Sequence, residues 1–147
     1  MADAGYSLGQ LILILSELHQ SQHGIPDMPR RIALCREVLS LITRERDEQW
    51  WAALQVELGN SLAQTLQGER AENIEQAIAA YQQALQVFTR MAMPIEWATT
   101  INNLATAYRD RIRGERAENI EQAIVAYQQA LQVRTQEAMP VEWAQTM

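Results

Sequence analysis

His19 and His23 are the first side chains of this sequence whose types and spacing could do chemistry: four residues apart on a helix, two imidazoles can hold one metal ion. No third ligand accompanies them, and Gly24 and Pro26 break the helix at that point. They read as two polar residues at a helix end, with no metal. Arg109, Arg111, Arg113 and Arg116 form a basic cluster of the kind that meets phosphate. Asp110, Glu115 and Glu118 interleave it, which favours a solvated loop paired within itself. Trp50, Trp51, Trp97 and Trp143 could form a platform on which bases stack. Three of them recur at a spacing of 46 residues, which suits packing between repeated units better. All twelve basic residues are arginine, so P-loop, Schiff-base and general-base lysines are excluded. No nucleophile–base pair or carboxylate dyad is present. The expectation is a protein that is not an enzyme and uses no cofactor.

The elements that position these residues come from an internal repeat. Shifting the chain by 46 residues lays Glu69–Ile101 on Glu115–Met147 with 26 of 33 positions identical, and a period in the range of roughly 20–50 residues marks a repeat array. The N-terminal third is a decayed copy: Ile32 falls on Ile78, Cys35 on Tyr81, Leu39 on Leu85, and Thr43-Arg44 on Thr89-Arg90. Cys35, the lone cysteine, therefore reads as a core thiol. In this frame the chain is one array with repeats over about 5–50, 51–96 and 97–142 and a truncated fourth from 143.

Apolar spacing makes each unit a helix pair. Leu8, Leu11, Ile12 and Leu15 line one face of a first helix, and Met28, Ile32, Cys35, Val38, Leu39 and Ile42 the buried side of a second, capped by Asp27. Trp51, Leu54, Leu58, Leu62 and Leu66 make the next first helix, ended by Gly68 in the left-handed region. Asn73-Ile-Glu-Gln76 has the form of a capping box, and Ile74, Ala77, Ile78, Tyr81, Ala84, Leu85 and Phe88 follow at helical spacing. Pro94 opens a helix lined by Trp97, Ile101, Leu104, Ala105, Tyr108 and Ile112, running to Gly114. Asn119–Glu137 repeats the second helix, and Pro140 begins another that stops after eight residues. A helix that short is marginal in water, so the array is expected to continue past Met147.

The net charge of −6 at pH 7 argues against nucleic acid or an anionic membrane as partner. The single cysteine excludes an internal disulfide and suits a reducing compartment. No basic region precedes Leu11–Leu15, so the segment is not a signal peptide, and it is far short of the about 20 apolar residues of a membrane span. The expected location is the cytoplasm.

Leu104-Ala105-x-x-Tyr108 and Leu58-Gly59-x-x-Leu62 in the first helices, with Ala77-x-x-x-Tyr81-x-x-Ala84 and Ala123-x-x-x-Tyr127-x-x-Ala130 in the second, resemble the tetratricopeptide (TPR) repeat. The departure is the period, 46 against about 34 in that family. The surplus falls as about six residues in each connection. In its long period the chain also resembles arrays of this type in bacterial proteins that end in a CHAT caspase-like peptidase domain. The resemblance implies an all-α fold, a right-handed α-solenoid of antiparallel helix pairs, with three pairs plus the start of a seventh helix. It also implies a protein-binding or scaffolding role, with the first helices lining a concave face.

Carried onto this chain, the inward positions are Asn60 and Gln64 in the second pair and Thr99, Asn102, Thr106, Arg109 and Asp110 in the third. They would suit an extended or helical peptide held by hydrogen bonds and one or two charge pairs. Only four of eighteen positions agree between Trp51–Gly68 and Trp97–Gly114, so variation concentrates where such a groove would be lined. Three classes of function stay open. One is a protein-interaction module, within a larger signalling or CHAT-type protein. The second is a self-associating element, dimerising or stacking end to end through Leu8, Leu11, Ile12 and Leu15. The third, a helical repeat that reads nucleic acid, has the acidic charge against it.

Overall fold

The computed structural model of the chain describes residues 28–134. The expected helix through Leu8, Leu11, Ile12 and Leu15 lies outside them, as do His19, His23, Asp27, Pro140 and Trp143. The described residues form five helices and no strand: α1 (Met28–Leu39), α2 (Glu48–Gln64), α3 (Arg70–Ala84), α4 (Pro94–Asp110) and α5 (Arg116–Val133). The fold is all-α, as the apolar spacing requires. α2 and α4 begin and end at positions 46 apart.

Local chemistry sets the boundaries. Asp47 caps α2, its carboxylate accepting from the Trp50 N–H at 3.0 Å, and Pro94 opens α4, where its missing N–H costs nothing. Gly68 and Gly114 have φ of 84° and 82°, a region in which a side chain is strained.

Three boundary expectations need correction. The first helices stop at Gln64 and Asp110, not at the glycines, and Leu66 and Ile112 are exposed in the connections. Arg70 and Arg116 explain the early end, because their guanidinium groups donate to the carbonyls of Ala63 and Arg109 and satisfy the last turn. Nor does Asn73 cap a helix. α3 already begins at Arg70, the Asn73 N–H bonds back to the Glu69 carbonyl at 2.9 Å, and its side-chain amide donates to the Gln67 carbonyl at 2.8 Å. Asn119 repeats that bond to Arg113 at 2.9 Å. The asparagine thus closes the loop around each glycine. Gln76 donates to the Glu72 carboxylate at 3.1 Å, not to the backbone. At the other end α3 leaves the α-helix at Ala84, so Leu85 and Phe88 lie beyond it, although the Phe88 N–H still reaches the Ala84 carbonyl at 2.9 Å.

The core is a run of clusters between neighbouring helices. Leu34, Cys35, Val38 and Ile42 meet Leu54 of α2. Ile32, Leu62, Ile74, Ala77, Ile78, Tyr81, Leu104 and Ala107 join α1 through α4. Ala52 packs with Ala84, Val87 and Phe88, and Ile101 and Ala105 pack with Ala126 and Ala130. Each helix touches its chain neighbours, α2 and α3 and then α4 and α5 most extensively, while α2 and α4 meet only slightly. Small residues at Ala52, Ala98, Ala105, Ala107 and Ala123, all buried, let the helices approach. Burying a residue such as Ile74 stabilises by about 1.5–3 kcal/mol.

Candidate functional site

The positions expected to face inward fall on α2 and α4, and most are engaged within the protein. The Asn60 amide oxygen accepts from the Tyr81 hydroxyl at 2.7 Å and from the Asn103 side chain at 3.1 Å, tying α2 to α3 and α4. Thr106 stands in the equivalent place. Its hydroxyl donates to the Asn102 carbonyl at 3.2 Å and lies 2.8 Å from that of Tyr127, so the tyrosine is the donor of the second bond. Thr99 accepts from Arg134 at 3.1 Å. Arg109 donates to Asp110 at 3.0 Å, which holds the arginine charged, and Arg70 lies 4.0 Å from the same carboxylate. Gln64 and Arg109 are exposed. Asn102 Oδ1 is buried and has no hydrogen-bond partner among the described residues.

The basic cluster is paired, largely with acids other than the interleaved ones. Arg111 forks onto Glu75 of α3, with Nε to Oε2 at 2.7 Å and Nη2 to Oε1 at 2.8 Å, and Arg113 reaches Glu72 at 2.9 Å. Of the interleaved acids only Asp110 takes part, through Arg109 and Arg70; Glu115 and Glu118 make no ion pair among the described residues. The sequence signal for this was the acid pair at i, i+3 on the preceding second helix, facing arginines two residues apart. No family model, curated protein or solved structure matches the chain. The site is therefore read from its own geometry.

The Arg111 bond holds the Glu75 carboxyl below its ordinary value of 4.5, and the Gln76 amide together with Arg113 does the same for Glu72. A depressed folded-state value means stabilisation that is complete above the unfolded value and lost as pH falls through the folded one. The melting temperature is therefore expected to fall as pH drops below about 4.5, and Glu75→Gln to flatten that fall. Thermal melts of both proteins between pH 7 and 2.5 measure it; superimposable acid limbs would count against the pair.

Arginine also links successive units. The Arg44 guanidinium lies 5.7 Å from the Trp51 ring centre and donates to Gln86 at 2.6 Å. Arg90 repeats both contacts, at 5.4 Å from Trp97 and 2.9 Å to Gln132. Trp51 and Trp97 are thus covered by cations and packed against the core.

An open cleft of about 360 Å³ lies between α4 and α5, lined by Ile101, Leu104, Tyr108, Val125 and Ala126 with Glu121, Gln122 and Gln129. One unit earlier, Arg36 donates to Gln76 at 2.7 Å. The residue matching Arg36 here is Gln82, which reaches only the Tyr108 hydroxyl, at 3.5 Å.

Cys35 is fully buried, and burial pushes its thiol up to about 12. A colorimetric disulfide reagent at pH 8 is expected to leave it unmodified in the folded chain and to titrate one thiol after denaturation. Fast labelling of the native protein would contradict its place in the core. Among the described residues no three His, Cys, Asp or Glu side chains gather as metal ligands, and no helix is long and apolar enough to cross a membrane.

Proposed function

We propose that the chain is a protein-interaction module that binds a peptide or partner domain, without catalysis or cofactor, on the inner face of its first helices. In this reading the helices form a right-handed solenoid of antiparallel TPR-like pairs, three pairs with the start of a seventh helix. It serves as a cytoplasmic scaffold within a larger signalling or CHAT-type protein. The observation that supports it is recurrence in register. The second helices repeat nearly residue for residue, and Arg44/Arg90, Arg70/Arg116, Asn73/Asn119 and Gly68/Gly114 repeat the same contacts or backbone angles 46 residues on. The first helices keep the frame but change their inner polar residues. A frame held constant while one face varies is the arrangement expected of a binding array.

Asn102 carries the chemistry of that face. A buried amide oxygen without a donor costs about 1–3 kcal/mol until a donor arrives, and a peptide N–H would supply one while Arg109 and Gln64 contact the rest of the ligand. Peptides selected from a random displayed library should bind with affinities that Asn102→Ala, Arg109→Ala and Gln64→Ala lower about tenfold or more, or by about 1.4 kcal/mol. Gln83→Ala and Gln129→Ala on the second helices should leave them unchanged. Affinities insensitive to the first three variants would rule out the inner face.

A further inference from the structure

Arg36 and Gln82 stand 46 residues apart at matching places on α1 and α3, and they do different things there. Arg36 spans to the next second helix and donates to Gln76 at 2.7 Å. Gln82 is too short for that step. Its amide reaches only the Tyr108 hydroxyl, at 3.5 Å, and Gln122, the counterpart of Gln76, makes no side-chain hydrogen bond among the described residues. Where an arginine crosses in the earlier unit, the later one has the open cleft of about 360 Å³, a size within the about 300–1,000 Å³ of ligand sites.

The walls have changed as well. Ile101, Tyr108 and Val125 line the cleft, where the earlier unit has Gln55, Leu62 and Ala79. Val125 against Ala79 is the one difference between Arg70–Ala84 of α3 and Arg116–Ala130 of α5, and it puts a branched apolar side chain, 49% exposed, in the wall.

The cleft lies on the side of α5 that faces back along the chain. Gln76 meets α1, the second helix before it, whereas Ile74 and Ile78 meet Leu104 and Ala107 of α4, the helix after it. On α5 the matching residues are Gln122, in the cleft, and Ile120 and Ile124, which take no part in it. A helix covering Ile120 and Ile124 as α4 covers α3 therefore leaves the cleft open.

We propose that this cleft binds an arginine side chain presented by a peptide segment of another protein, in the place that Arg36 fills one unit earlier. The guanidinium donates to the Gln122 amide oxygen, as Arg36 does to Gln76. Its methylene stem lies along Leu104 and Val125, with the Tyr108 ring beside the cation. Glu121 is the only charged residue in the lining, and its sign suits a cation. Free arginine fits less well, because its carboxylate would find no basic side chain there and would meet Glu121. A second copy of this chain fits poorly too. Arg46 is the one described arginine without a side-chain partner, and Glu45, Asp47 and Glu48 around it would be brought against Glu121. The cleft shares no residue with the positions expected to face inward on α2 and α4, so either site can fail without the other.

The test titrates the full isotope-labelled chain with an acetylated, amidated pentapeptide, arginine flanked by two glycines on each side, and follows the Gln122 and Val125 amides by NMR. Saturable shifts are expected. The Kd should rise at least tenfold when norleucine replaces the arginine of the probe, with Gln122→Ala, and with Gln82→Arg, whose own guanidinium would occupy the cleft. Gln76→Ala should bind the probe within twofold of wild type. Gln82 and Gln122 are exposed, so matching circular dichroism melts separate a lost site from a lost fold. No saturable shift, equal binding of the norleucine probe, or binding unaffected by Gln82→Arg overturns the proposal. Free L-arginine binding as tightly as the peptide overturns it too, since the ligand would then be the amino acid. So does self-association in sedimentation equilibrium that Gln82→Arg abolishes, because a second copy would then supply the arginine.

Discussion

Tyr81→Ala is expected to destabilise the protein by about 3–5 kcal/mol, and Tyr81→Phe by only about 1 kcal/mol. The Tyr81 ring is 2% exposed within the central cluster, and its hydroxyl donates to Asn60. Removing the ring leaves a cavity where three helices meet; removing the hydroxyl leaves Asn60 with its other donor, Asn103. Burial pushes the phenol well above its ordinary value, so the ring stays neutral and its proton remains on the Asn60 bond. Gly59 belongs to the same contact. A Cβ there would lie 2.6 Å from Tyr81 Cε1 and 2.9 Å from Cδ1, and the ring cannot swing away without losing Asn60. Overpacking of that kind costs about 1–3 kcal/mol, more than the about 1 kcal/mol of helix propensity that alanine adds, so Gly59→Ala should destabilise as well. The chain contains a comparison: Ala105 occupies the matching position, and there the tyrosine, Tyr127, is only half-buried. Tyr127→Ala should therefore cost less than Tyr81→Ala. Urea unfolding of the four variants measures all of this, and equal losses at the two tyrosines would contradict the difference in packing.

Ile78→Ala should cost about 2–5 kcal/mol and Ile124→Ala within about 0.5 kcal/mol, although the two isoleucines sit in nearly identical sequences. The first is enclosed by Leu104 and Ala107, and the second is open. Urea midpoints at constant slope decide it. Comparable losses would mean that α5 is covered in solution as α3 is.

Much of this organisation was legible in the sequence, and the misses have physical reasons. The five described helices lie where apolar residues recur at helical spacing, because such spacing declares a buried stripe wherever it lies. The glycines at 68 and 114 were recognisable as left-handed positions. The helix ends beside them were not, since what stops α2 and α4 is a guanidinium reaching a carbonyl seven residues back. Periodicity cannot carry that information. Asn73 was misread because its spacing to Gln76 imitates a cap, while the long-range bond to Gln67 took precedence. Asn60 and Thr106 lie on helices that the periodicity made visible, but their tyrosine partners lie 21 residues away on another helix. The pairing of Arg111 and Arg113 with Glu75 and Glu72 was hidden for the same reason. Nearer acids in the sequence looked sufficient.

Hydrogen exchange at the amides of α3 and α5 would test most directly whether two helices of nearly identical sequence are packed as unequally as their exposure indicates. Residues 70–84 and 116–130 differ only at Ala79 and Val125, so their intrinsic exchange rates nearly cancel in the comparison. Slower exchange is expected in α3, by at least tenfold at Ile74 and Ile78 over Ile120 and Ile124. Equal protection of the two helices in the free chain would contradict the unequal packing of α3 and α5.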